Sequence, residues 1–123
     1  MSGNRTVDLI LRAESVALFL AGIGVYLWLD GSPIWLLPLL LAPDISMVGY
    51  LGGPRLGAIT YNAVHNLVLA LGVFAIGWWA DVGALRLLGA ILVAHVGMDR
   101  ALGYGLKLPT DFKDTHLGRI GGR

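Results

Sequence analysis

Two histidines and several carboxylates lie inside stretches of this sequence that are otherwise apolar, and these are its chemically active side chains. His95 and Asp99 are four residues apart, so on a helix they share a face one turn apart. Tyr61, Asn62, His65 and Asn66 form a polar stripe at helical spacing, with Tyr61 and Asn62 placed to orient a neighbouring ligand. Asp44 follows Pro43, whose ring removes a backbone donor and disfavours helix just before it, leaving Asp44 free to turn inward. Glu14 completes the set. Imidazole and carboxylate together suit zinc, iron or manganese as a divalent ion. Such an ion makes hydroxide available near neutral pH and supports hydrolysis of an ester or phosphoester. Without a metal, the same groups relay protons. Haem held between His65 and His95 is a further alternative, which the neighbouring carboxylates fit poorly.

These groups must be positioned by membrane-spanning helices. The chain has 123 residues, 56% of them hydrophobic, and a mean hydropathy of +0.73. A soluble domain this short cannot bury so much apolar surface. A net charge of +1 offers no basic face for nucleic acid, and the lack of cysteine excludes thiol chemistry and disulfides. Four apolar segments, at about 7–29, 33–51, 56–79 and 83–104, each approach the length of a span. They predict a single all-α domain over 1–123, a membrane-embedded four-helix bundle with a polar tail at about 105–123. Counted from the tail side at ~1.5 Å per residue, Glu14, Asp44, Asn62, His65, His95 and Asp99 all fall about 8–13 Å deep. One layer thus holds an ionisable group from every helix, where such groups are costly and mark function.

Of the nine Lys and Arg residues, all but Arg86 fall on the side of the termini and the middle loop, which makes that side cytoplasmic. Trp28, Trp35, Trp78 and Trp79 fall at the opposite edge, as an interfacial belt would. The 18 glycines lie mostly inside the spans and suit close helix packing. Arg55, Arg100 and Lys107, with Lys113, are expected to gather at the cytoplasmic mouth and grip an anionic lipid head group. The tail carries further ligands in Asp114 and His116, which would serve as a lid if the tail folds back.

The strings LRAESVALFL, LAPDISMVGYLGGPRLGAITYN, AVHN and AHVGMDRALGYGLKLPTDFKDTHLG resemble a family of short bacterial membrane proteins catalogued as a domain of unknown function. The resemblance runs from about residue 11 to 118 and implies a small four-span protein, expected in the bacterial inner (plasma) membrane. It brings no activity or cofactor with it. Family-motif positions are matched by Glu14, Asp44, Tyr50, Tyr61, Asn62, His65, His95, Asp99, Arg100, Tyr104 and His116. CDP-alcohol phosphotransferases also carry metal-binding aspartates at the inner leaflet, but their long aspartate signature is missing. Three functions remain open: a metal site acting on a lipid-like substrate, a proton- or ion-handling transport element, and an accessory subunit of a larger membrane complex in which the polar layer only specifies helix pairing. The expected partners are membrane lipids and either a second copy of the chain or such a complex.

Overall fold

The computed structural model describes residues 5–120. Its elements are α1 (Arg5–Trp28), α2 (Pro33–Leu41), a 3-10 helix (Ala42–Gly52), α3 (Pro54–Val64), α4 (Leu67–Trp79) and α5 (Gly83–Leu102). A two-residue hairpin, β1 (Asp114–Thr115) and β2 (Gly118–Arg119), follows in the tail, with Asp114 opposite Arg119. The fold is otherwise all-α. Arg5–Trp28, Pro33–Gly52 and Pro54–Trp79 are long and apolar enough to cross a membrane. α5 has the length, at 20 residues, but carries the charges of Arg86, Asp99 and Arg100 along it.

That helix is the hub. α5 packs against α1 on one side and α4 on another, with α2 alongside. It buries nine residues, from Gly89 to Asp99, whereas α4 buries only Ala70 and Gly77. The arrangement inverts a soluble protein: the most hydrophobic helices lie outside and expose Leu20, Ile34, Val68 and Trp79. An apolar outer surface of this extent needs an apolar surrounding. Close approach of α1 and α5 depends on glycine. A Cβ on Gly97 would lie 2.6 Å from the Phe19 nitrogen, and one on Gly22 would lie 2.6 Å from the Ala94 nitrogen. These contacts also set α1 antiparallel to α5.

The second and third spans are both broken, the third against the expectation of one continuous helix over 56–79. In the second, α-helix gives way to 3-10 helix at Pro43. Such a run rarely exceeds three or four residues, yet this one has 11. It is held to α3 by the Thr60 hydroxyl, which donates to the Ser46 carbonyl at 2.7 Å. In the third span, His65 leaves helical geometry (φ −108°, ψ 39°) and Asn66 is extended. The Asn66 side chain joins the two halves. Its amide donates to the Asn62 and Ala63 carbonyls, while its oxygen accepts from Leu69 N–H at 2.8 Å and caps α4.

After α5, Gly103 takes a left-handed conformation (φ 94°), the usual way to end a helix and reverse the chain. The tail then folds back instead of running into solvent. Leu106 N–H donates to His116 Nδ1 at 2.8 Å, and His116 N–H donates to the Leu106 carbonyl at 2.9 Å.

If glycine sets the α1–α5 distance, Gly97→Ala should destabilise the protein by about 1–3 kcal/mol through overpacking. Gly24→Ala, where nothing lies within 4 Å of the added carbon, should be neutral or stabilising. Unfolding in detergent, followed by circular dichroism, checks the contrast.

Candidate metal centre

The break in the second span releases a backbone carbonyl toward the protein interior, whereas the Tyr61 carbonyl in the third keeps its bond from the His65 backbone N–H at 3.0 Å. At the start of the 3-10 helix, Ala42 N–H bonds the Leu39 carbonyl. The next bond in that pattern would run from residue 43 to the Leu40 carbonyl, but Pro43 has no N–H to give. His95 takes the vacancy, its Nδ1 lying 2.5 Å from the Leu40 oxygen. On α3, His65 Nδ1 lies 2.8 Å from the Tyr61 carbonyl. Stacking of the Tyr61 ring on His65, with centroids 3.7 Å apart and planes 3° apart, fixes the imidazole further.

A carbonyl oxygen only accepts hydrogen bonds, so both Nδ1 atoms carry the proton. In its neutral form each imidazole therefore presents an Nε2 lone pair. The two Nε2 atoms face each other at 2.9 Å. Asp44 Oδ1 lies 3.3 Å from His65 Nε2 and 3.1 Å from His95 Nε2. Asp99 Oδ2 lies 3.5 and 3.3 Å from the same two atoms. One ligand atom from each of the four residues lies within 4.8 Å of all the others. A tetrahedral ion with bonds of ~2.0–2.1 Å holds its ligand atoms about 3.3–3.4 Å apart. The four nitrogen–oxygen distances bracket that value. The group could hold a metal ion.

The site is buried on the histidine side and open on the carboxylate side. His95 and His65 are 0% and 2% exposed, whereas the Asp44 side chain is 39% exposed. A cleft of about 310 Å³ reaches Asp44, Asp99 and Tyr61, with Met47, Met98 and Leu102 as its apolar wall. Tyr61 also orients Asp99, donating its hydroxyl to Oδ2 at 2.7 Å.

Other expected residues go elsewhere. Glu14 does not join the group; it is exposed and lines a second cavity with Arg12, Arg100 and His116. The reason is angular. α1 turns Ser15, Gly22 and Tyr26 inward, and a neighbouring position lies about 100° round the helix. Asn62 does not touch a ligand. Its oxygen accepts from Lys107 N–H at 2.6 Å and its amide donates to the Lys107 carbonyl at 2.8 Å, clamping the tail.

The basic residues do not form one rim. Arg55 is exposed at the start of α3, and Arg100 is half-buried at the second cavity. Lys107 is 3% exposed, its ammonium over the rings of Phe112, Tyr61 and Tyr104 at 3.8, 4.7 and 5.4 Å. Burial pulls the Lys107 ammonium below its ordinary range, and the charges of Asp99 and Asp44 oppose that. His116 faces the second cavity rather than the His–Asp group, and burial together with Arg100 disfavours its protonation. The side chain of Asp114 lies outside the described residues. The inward turn of Lys107 escaped the sequence reading, because no periodicity extends past Gly103.

Haem does not fit between these histidines. Axial imidazoles stand about 4 Å apart, twice a metal–nitrogen bond of ~2.0 Å, and here the nitrogens are closer while two carboxylates fill the space beside them.

A family model described as "Domain of unknown function (DUF4260)" matches residues 8–120. The chain belongs to the DUF4260 family. All four convergent residues, and Lys107 with its cage, fall inside the matched region. Neither the curated proteins nor the solved structures contain a match to the chain.

The tautomer assignment is open to direct measurement. Imidazole ¹⁵N spectra of metal-free protein should carry the proton on Nδ1 in both His65 and His95. In Pro43→Ala the restored N–H competes for the Leu40 carbonyl, so His95 alone should lose that preference.

Proposed function

We propose that this protein is a metal-dependent membrane protein, with a divalent ion held by Asp44, His65, His95 and Asp99 in the inner half of the bilayer. The observation that carries the reading is the convergence of four electron-pair donors, two carboxylates and the Nε2 atoms of two imidazoles whose Nδ1 atoms face carbonyls and which, when neutral, leave no proton between them. Two lone pairs and two carboxylates at 2.9–3.5 Å repel one another unless a cation sits among them. Two carboxylates balance the charge of a divalent ion, and mixed nitrogen and oxygen donors suit zinc, iron or manganese.

In this reading α5 is a fourth span, buried by the other three, and both termini are cytoplasmic. The distribution of Lys and Arg supports that orientation, as do the four tryptophans, all exposed at the other end of the helices. The family resemblance favours a bacterial inner membrane.

The activity that fits best is hydrolysis of an ester or phosphoester on a lipid-like substrate. A bound divalent ion would act as a Lewis acid and lower the pKa of water. The protein's own groups do the rest. The Leu40 and Tyr61 carbonyls fix both imidazoles, the Tyr61 hydroxyl holds Asp99, and the cleft brings an apolar substrate to the open carboxylate side.

Metal analysis of detergent-purified protein tests this. About one divalent ion per chain is expected, lost in His65→Ala and His95→Ala and released on acidification as the ligands take up protons. Tyr61→Phe should weaken binding about 10- to 100-fold, the usual effect of removing a partner of a ligand. Folded protein without metal above background would sink the reading.

The Nε2–Nε2 distance of 2.9 Å also favours a second, metal-free reading, in which one proton is shared between the imidazoles and the site relays protons. Proton flux in liposomes that disappears in Asp44→Asn, from protein without bound metal, would support it instead.

A further inference from the structure

Two buried polar atoms have no hydrogen-bond partner among the described residues: Lys107 Nζ and Tyr50 Oη. They flank one ring. Phe112 lies 3.8 Å from the Lys107 ammonium and meets the Tyr50 ring edge-on at 5.3 Å. Phe112, Tyr61 and Tyr104, the rings that cage Lys107, also line the cleft that reaches Asp44 and Asp99. Two donors without acceptors thus lie behind the ring wall of the cleft, without lining it themselves.

Leaving a buried ammonium without a hydrogen bond is costly. The aromatic faces compensate in part, but they accept no directed hydrogen bond of the strength a charged oxygen provides. The charges of Asp99 and Asp44 act on it, and neither comes within ion-pair distance of Lys107. A divalent ion would take up both of those charges. The balance is then two negative charges from the carboxylates, two positive from the ion and one positive from Lys107, a net charge of about +1 in a buried setting that calls for an anion. A third carboxylate, the half-buried Asp111, acts on Tyr50.

We propose that the cleft binds the phosphoryl group of its ligand, with Lys107 Nζ and Tyr50 Oη as donors once the Phe112 ring between them and the cleft turns aside. A phosphoryl oxygen accepts from both, and a singly charged phosphate ester neutralises the site. Met47, Met98 and Leu102 then run along the apolar part of the ligand, which selects a phosphate carried on an acyl lipid over free phosphate. The charge balance rests on the metal reading, whereas the orphaned donors do not.

The test is equilibrium binding to the full chain in detergent, with metal content measured on the same samples. The probes are short-chain phosphatidic acid, inorganic phosphate and, as zwitterionic comparison, short-chain phosphatidylcholine. Phosphatidic acid should bind more tightly than phosphatidylcholine, and Lys107→Met and Tyr50→Phe should each weaken it by about tenfold or more. Lys107→Arg should retain most of the affinity, which guards against a misfolded methionine variant, and metal content should not change. Lys107-dependent binding of inorganic phosphate equal to that of phosphatidic acid would support the phosphoryl site with a soluble source. Unchanged affinity in both Lys107→Met and Tyr50→Phe, or no preference for phosphatidic acid or phosphate over phosphatidylcholine, would overturn the proposal. Metal bound with no anion binding removes this inference and leaves the metal centre. Lys107-dependent anion binding without metal does the reverse.

Discussion

The structure turns on two hydrogen bonds from imidazole nitrogens to backbone carbonyls, His95 to Leu40 and His65 to Tyr61. Each fixes a tautomer, and together they point two lone pairs at the same small volume. An intact α-helix would use the Leu40 carbonyl internally and leave none for a side chain. Pro43 breaks that pattern without leaving a polar group unpaired, because the carbonyl it releases is taken at once by His95. In an apolar surrounding an unpaired backbone group is too costly to tolerate, so irregular backbone persists only where something inside the protein satisfies it. The 3-10 helix and the histidine site therefore depend on each other.

The third span follows the same logic by a different device. Its break at His65 is mended by one side chain, Asn66, which supplies donors to the end of α3 and an acceptor to the start of α4. The break frees His65 to turn its ring under Tyr61. That tyrosine then acts at three points: its carbonyl holds His65, its ring stacks on the imidazole, and its hydroxyl holds Asp99. Two broken helices, each bringing one ligand, close against the unbroken α5, which brings two. α5 itself is held against α1 by the close approach at Gly22 and Gly97.

Depth was legible in the sequence and azimuth only in part. Counting residues from the ends of apolar segments located Asp44, His65, His95 and Asp99 in one layer, and the i, i+4 spacing of His95 and Asp99 gave their shared face. Pro43 announced its own break. The same counting put Glu14 in the layer, yet α1 offers α5 a face set by glycine and serine, and Glu14 lies off it. The break at His65 carried no proline or glycine to signal it; the only trace was an Asn just after a His, a helix cap placed inside an apolar run. The tail was opaque for a different reason. Its hairpin and the inward turn of Lys107 follow from Gly103 and from long-range bonds to Asn62, which no local pattern encodes.

The tail also changes what the polar layer means. A His–Asp group that only joined helices would have no need of an open side, because a fully buried network satisfies its members best. Here the two histidines are sealed while the carboxylates border a cleft whose outer wall is the tail itself, through Tyr104 and Phe112. The chain continues past its last helix, reverses at a left-handed glycine, and is clamped by Asn62 from the third span, so that a cation on aromatic faces stands behind the ring wall of that cleft. Packing alone does not require such an arrangement, because it strands a buried ammonium and a tyrosine hydroxyl without partners. A polar group left unsatisfied behind the wall of an open cleft is better understood as one whose partner arrives with a ligand.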